Sequence, residues 1–123
     1  MIPDGKALGV VDAPAGMLSA DGSERARLAR LARAAALGIP GVVGTHPGST
    51  GLCFTASGGE RVEGVTCVAV STGGYEVSLC LVCGLVALRV LGDQVSAAVR
   101  RDASIAGIAV DAIHVHVVDV EAH

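Results

Sequence analysis

The apolar positions in the first half of the chain repeat with the period of a helix. At 100° per residue, one stripe collects Leu28, Leu31, Ala32 and Ala35, and the arginines between them fall outside it. Ser23 has the side chain of an N-cap residue. Gly38 is placed to take the left-handed C-cap, and Pro40 prevents continuation. The pattern therefore predicts an amphipathic helix over about 24–37.

Further along, the period changes to two. It predicts strands over about 65–71 and 75–83, joined through Thr72-Gly73-Gly74. If Gly73-Gly74 forms a two-residue turn, Cys67 lies opposite Cys80. The core face of this hairpin then carries Val68, Val70, Val77, Leu79 and Leu81. Its reverse face carries small residues, namely Val65, Cys67, Ala69, Ser78, Cys80 and Val82.

The remaining segments complete one layered domain. A second helix is predicted over about 86–103, with an apolar stripe of Leu88, Leu91, Val95, Ala98 and Val99. A last strand over about 110–120 alternates between Ile113, Val115 and Val117 facing inward and His114, His116 and Val118 facing outward. Short strands are expected at Val42-Val43 and Leu52–Thr55, with a turn at Ser57-Gly58-Gly59. We expect an α+β two-layer sandwich, with a mainly antiparallel sheet and two helices on one face.

Composition limits the number of domains and the classes of partner. The 123 residues suffice for one domain, which we place at 23–123 after a flexible arm over 1–22 that shows no period. Aromatic residues make up 2% of the chain and the net charge is -3, which argues against a nucleic-acid partner. No apolar run reaches the roughly 18–20 residues that span a bilayer. The start of the chain lacks the features of a secretory signal, so we expect a cytoplasmic protein.

The cysteines and two histidines offer the sharpest chemistry. Cys80 and Cys83 have CxxC spacing, but a strand points them to opposite faces. In the expected register, Cys67 and Cys80 have Cα atoms about 4.5 Å apart, at the short limit for a disulfide. If the last strand lies next to this hairpin, His114 and His116 share that face, which gives a possible set of two cysteines and two histidines for sensing metals or thiols. Two buried thiols and two solvated histidines are the plainer alternative.

Signatures of an enzyme are missing from the sequence. No serine lies in a nucleophile-elbow pattern, and Ser57-Gly58-Gly59 has neither the lysine nor the following helix of a phosphate-binding loop. Carboxylates are scattered without an opposed pair. We therefore expect no enzymatic activity, no cofactor and no small-molecule substrate. An enzyme of unknown type stays open only because small α+β sandwiches support many activities.

Basic residues concentrate on the two predicted helices. Seven of the nine lie there: Arg25, Arg27, Arg30, Arg33, Arg89, Arg100 and Arg101. Such a surface is often merely solvated. It also suits docking onto an acidic partner or an anionic membrane surface. The candidate residues for binding a partner are Arg27, Arg30, Arg33, Arg89 and Arg100.

Five segments carry a resemblance to a known family: Ala34–Val42 with its Pro-Gly-Val turn, Glu63-Gly64-Val65, Val77–Gly84, the predicted helix between Gly84 and Gly107, and the closing Ile113–Val120. Through them the chain, from about residue 26 to residue 121, resembles the alkaline shock protein family of bacterial envelope stress response proteins. Ala87-Leu88 stands where the family has a Pro-Glu pair, and Cys83 stands where it has an aromatic residue. The resemblance implies a non-catalytic cytosolic protein that self-associates into a homo-oligomer. It also implies docking near the membrane on a small integral membrane protein.

Overall fold

Two helices and six strands make up the part of the chain that the structure describes. The computed structural model describes residues 16–57 and 59–121. In chain order the elements are α1 (Gly16–Leu37), β1 (Val42–Thr45), β2 (Phe54–Ser57), β3 (Glu60–Glu63), β4 (Val65–Ala69), β5 (Tyr75–Cys83), α2 (Leu88–Ile105) and β6 (Val110–Val120).

Strand β5 is the centre of the main sheet. β6 runs parallel to it over its full length, so the β5–α2–β6 connection is a β–α–β unit. β4 and β1 follow one another along the other edge, both antiparallel to β5. Between them the Cys80 N–H donates to the Gly64 carbonyl over 2.8 Å, and the Cys80 carbonyl accepts the His46 N–H over 3.0 Å. β2 and β3 form a separate antiparallel hairpin, joined to β4 by a hydrogen bond from Thr55 Oγ1 to the Val65 carbonyl.

Both helices cover one face of the main sheet. The core between the layers takes Leu28, Ala29, Ala32 and Ala36 from α1, Leu91, Val95 and Val99 from α2, and Val65, Val77, Leu79 and Leu81 from the sheet, with Val62 of β3 beside them. Burying these side chains drives the layers together. The expected α+β two-layer sandwich with a mainly antiparallel sheet is confirmed.

Helix α1 ends at Leu37 as predicted, but it begins earlier than predicted. The helix starts at Gly16, so Ser23 lies inside it and is not its N-cap. Residues 16–22 of the predicted arm therefore belong to the helix, and residues 1–15 of that arm lie outside the described residues. The left-handed glycine after the helix is Gly41, with φ of 101°, and not Gly38. A turn that includes Pro40 separates the two.

The predicted register of the β4–β5 hairpin is wrong. Cys67 lies opposite Val77 and not opposite Cys80. The Val70 N–H donates to the Gly74 carbonyl over 2.9 Å, so the loop has three residues, Ser71 to Gly73, and not two. A three-residue loop with its glycine at positive φ is a common hairpin connection, and Gly73 has φ of 100°. The resulting shift is odd, so it exchanges the two faces of β4: Val65 and Cys67 are buried, and Val68 is exposed.

Most other elements agree with the pattern. Strand β6 has its predicted range, and Ile113, Val115 and Val117 pack against the core. Helix α2 is shifted along the chain by about one half turn, which leaves Leu88 exposed instead of in the apolar stripe. β1 is confirmed and β2 begins at Phe54, leaving Leu52 outside it. The residue pattern did not predict β3.

Candidate functional site

The sheet face turned away from the helices carries the polar chemistry. We call it the open face, and it comprises Glu76, Ser78, Cys80 and Val82 of β5 and His114, His116 and Val118 of β6. The β5–β6 register places Ser78 beside His114 and Cys80 beside His116. His114 Nε2 lies 3.0 Å from Glu76 Oε2, a surface contact.

The four residues proposed from the sequence as a metal or thiol set do not come together. Cys80, His114 and His116 share the open face, but Cys67 faces the helices and is 5% exposed. Burial raises the pKa of the Cys67 thiol to about 11, although the hydroxyl of Thr55 and the charge of Arg25 act in the opposite direction. The possible four-residue set is therefore not assembled, because the register of β4 turns Cys67 toward the helices. Across residues 16–57 and 59–121, no group of three or more His, Cys, Asp and Glu side chains is arranged to hold a metal ion.

Cys80 has another cysteine as its neighbour. The thiol of Cys53, in the segment before β2, lies close enough to the thiol of Cys80 for the two groups to interact. Burial, followed by this contact, raises the pKa of Cys53 to about 12. Both residues are half-buried, and neither is in a disulfide. This pair was not predictable from the sequence, because neither spacing nor periodicity indicates where the segment before β2 returns to the sheet.

The other CxxC cysteine behaves as predicted. Cys83 is fully buried on the helix side of β5, and Cys80 is on the open face. Burial raises the pKa of the Cys83 thiol. The two sulfurs therefore do not form a redox CxxC pair.

A shallow depression of about 370 Å³ is lined by His46, Ser49, Val118 and Asp119. These residue types match those of a catalytic triad, but the hydrogen bonds do not. His46 Nδ1 accepts the Gly48 N–H over 2.9 Å. In a triad that nitrogen donates its proton to the carboxylate. Asp119 Oδ1 instead accepts the N–H of Val120.

Four of the five arginines proposed for a partner make contacts within the chain. Arg27 donates to the carbonyl of Ala106 at the end of α2 over 2.8 Å, and Arg100 donates to the carbonyl of Val110 at the start of β6 over 3.1 Å. The other two link α1 to strands: Arg30 pairs with Glu60, and Arg33 Nε donates to Thr45 Oγ1 over 3.0 Å. Arg89 makes no hydrogen bond or ion pair with any residue the structure describes.

The surroundings of Arg89 are aliphatic. Leu85 is 73% exposed, Val90 56%, Val86 42% and Leu88 41%. We call these four residues the aliphatic surface. They occupy the junction between β5 and α2, where Ala87 caps the helix without a side-chain hydrogen bond. This surface was not predicted, because the helical period places Leu88 in the core stripe. The signal was present in the continuous apolar run from Leu85 to Leu88, which exceeds what one helix face can bury.

Neither helix has the length and apolar character needed to cross a membrane, as judged over the described residues. Comparisons with protein-family models, curated proteins and solved structures find no match to the chain.

Proposed function

We propose that the protein is a non-catalytic interaction protein of the envelope stress type, which self-associates and docks on a membrane-anchored protein through the aliphatic surface. The observation that carries the proposal is the exposure of four large aliphatic side chains within the short segment 85–90. Single exposed aliphatic residues are ordinary, whereas contiguous ones are typical of interaction sites.

Hydrogen bonds and close packing hold the backbone that carries the aliphatic surface in one position. This favours binding, because little conformational entropy is lost when a partner docks. The Gly84 N–H donates to the Gly41 carbonyl over 2.8 Å, and the Glu121 N–H donates to the Cys83 carbonyl over 2.7 Å. Gly41 packs closely against the segment, since a Cβ there would lie 3.0 Å from Val86 Cγ1. Fully burying one valine or leucine contributes about 1.5–3 kcal/mol, so even partial burial of all four supports a stable contact.

Charge indicates which partner suits this surface. Arg89 is the only ionisable side chain between Gly84 and Gly92. An apolar helix face with one acidic residue would match it, because the carboxylate would pair with the guanidinium. A membrane-anchored protein whose helix continues beyond the bilayer can present such a face. The resemblance to the alkaline shock protein family supports the same class of partner.

Self-association is supported by the edge of the main sheet. Among the described strands, β6 pairs only with β5, and its other edge is open over residues 110–120. It contains no proline or lysine, two residues that commonly protect sheet edges. A second copy can therefore extend the sheet by pairing with β6. Sedimentation velocity is expected to show species larger than a monomer, and a monomer at every concentration tested would contradict this part of the proposal.

The docking claim is tested by sedimentation with native membranes. Membranes from the cells that make the protein are used intact or after protease treatment that removes exposed protein segments. The test variant replaces Leu85 and Leu88 by serine. The matched control is Ile105→Ser, since Ile105 is 79% exposed at the other end of the same helix.

We expect the wild-type chain and the Ile105→Ser control to pellet with intact membranes, and the double variant to stay in the supernatant. Binding should be lost on protease-treated membranes, because the partner is a protein. Equal sedimentation of the double variant and the control would contradict docking through the aliphatic surface. Undiminished binding to protease-treated membranes would point to lipid as the ligand and would contradict a protein partner.

A further inference from the structure

We propose that Cys53 and Cys80 form a redox-active dithiol, which a low-molecular-weight disulfide oxidises to an intramolecular disulfide. The modification site lies on the open face, away from the aliphatic surface, and the inference goes beyond the proposed function. It rests on three observations: the contact between the two thiols, the backbone that holds both residues, and the burial of the other two cysteines.

The backbone brings the two cysteines together through Gly64. The Gly64 N–H donates to the Cys53 carbonyl over 2.7 Å, and the Gly64 carbonyl accepts the Cys80 N–H over 2.8 Å. Gly64 has φ of 85°, and a Cβ there would lie 2.4 Å from Thr45 Cβ and 2.9 Å from the nitrogen of His46. Only glycine permits this approach. The juxtaposition of the thiols is thus built into the fold.

The segment that carries Cys53 is also fixed at its far end. The His46 N–H donates to the Cys80 carbonyl over 3.0 Å, and the Cys53 N–H donates to the Pro47 carbonyl over 2.9 Å. Both ends of residues 46–53 therefore meet β5 near Cys80. A disulfide would convert this hydrogen-bonded attachment into a covalent one without moving the segment away from the sheet.

Exposure to solvent distinguishes Cys53 and Cys80 from the other two cysteines. Cys53 and Cys80 are half-buried, whereas Cys67 is 5% exposed and Cys83 is 0% exposed, both in the core. A small disulfide in solution can reach the open face but not the interior between the layers. The reaction should therefore be confined to two of the four thiols.

The reaction proceeds by two thiol–disulfide exchanges. The Cys80 thiol loses its proton and attacks one sulfur of the small disulfide. The disulfide bond breaks, a mixed disulfide forms at Cys80, and the first small thiolate leaves and takes up a proton. The Cys53 thiol then loses its proton and attacks the Cys80 sulfur, which releases the second small thiol. Overall, one small disulfide is reduced to two thiols, and the two cysteine sulfurs supply the two electrons.

The protonation of Cys53 assigns the order of attack. Burial, followed by the interaction with Cys80, raises the pKa of Cys53 to about 12. This disfavours the Cys53 thiolate and assigns Cys53 the role of the second, resolving thiol. His116 lies beside Cys80 in the register of β5 and β6.

The test incubates reduced, folded full-length protein with glutathione disulfide. Free thiols are counted under denaturing conditions, and the blocked protein is digested with trypsin. Cleavage after Arg33, Arg61 and Arg89 leaves Cys53 alone in peptide 34–61 and the other cysteines in peptide 62–89. The variants are Cys53→Ser and Cys80→Ser, with Cys67→Ala as the matched control. Circular dichroism verifies that each variant is folded.

We expect the titre to fall from four thiols per chain to two, with peptide 34–61 linked to peptide 62–89 through Cys80. The rate should be independent of protein concentration, and Cys67→Ala should react like the wild type. Cys53→Ser should stop at a mixed disulfide on Cys80. An unchanged titre, a link to Cys67 or Cys83, or a disulfide between two chains would overturn the proposal. Faster trapping of glutathione by Cys80→Ser than by Cys53→Ser would overturn the assigned order of attack.

Discussion

Replacing two valines of β4 in separate variants tests the packing of the main sheet. Val65 is 0% exposed and lies between the sheet and the helices, whereas Val68 is 56% exposed on the opposite face. The variants Val65→Ala and Val68→Ala remove the same atoms from the same strand. Any difference between them therefore reports burial and not a difference in chemistry or strand propensity.

The expected magnitudes follow from the burial of each side chain. Removing two buried carbon atoms costs about 1.6 kcal/mol at about 0.8 kcal/mol each, and the cavity that remains raises the loss to about 2–3 kcal/mol for Val65→Ala. Removing the same atoms from the exposed Val68 should change the free energy of unfolding by less than about 0.5 kcal/mol.

Urea denaturation followed by circular dichroism measures both variants against the wild type. An unfolding entropy of about 2.1 cal/mol/K per residue gives about 0.26 kcal/mol/K for 123 residues. Val65→Ala should therefore also lower Tm by about 8–12 °C. A larger loss for Val68→Ala than for Val65→Ala would refute the three-residue loop and restore the register expected from a two-residue turn.

Three further perturbations have defined outcomes. Gly64→Ala should lower the free energy of unfolding by about 2 kcal/mol or more in urea denaturation, because its Cβ meets backbone at positive φ; an unchanged midpoint would contradict the tight approach. Arg27→Ala should cost about 1 kcal/mol in the same assay through its lost bond to Ala106, and Arg89→Ala less than about 0.5 kcal/mol; equal losses would contradict this assignment. Because the pKa of Cys67 is raised, the protonated thiol contributes stability that is fully present below pH 9 and is lost as pH rises through about 11. Cys67→Ala should therefore lose less free energy of unfolding than the wild type over this pH range, measured by urea denaturation at several pH values. Identical losses in the variant and the wild type would contradict the raised pKa.

Long amphipathic elements were predictable because their periodicity is set by burial along many residues. Strand β6 and the end of α1 agree with the pattern for this reason. The register of β4 was not predictable in the same way. Gly73-Gly74 is compatible with a two-residue or a three-residue loop, and the choice between them exchanges the faces of the whole strand. Both faces of β4 contain valine, so hydrophobicity does not decide.

The candidate site was less predictable than the fold, because it depends on contacts between distant segments. Cys80 was placed on the correct face, but its neighbour is Cys53 and not Cys67. That contact depends on Gly64, whose close approach to Thr45 and His46 has no periodic signature. The arginines were correctly placed on the outside of the helices, but sequence spacing does not show that Arg27 and its neighbours bind other elements of the same chain.

Site-specific photo-crosslinking in the cells that make the protein tests docking through the aliphatic surface most directly. A photoreactive side chain is placed at position 88 in one variant and at position 105 in another, since both positions are exposed and lie on α2. We expect the probe at position 88 to form a crosslink, in the membrane fraction, to a protein that spans the membrane, and the probe at position 105 to form none to that protein. Equal crosslinking from both positions, or crosslinks from position 88 to soluble proteins alone, would contradict the proposed docking surface.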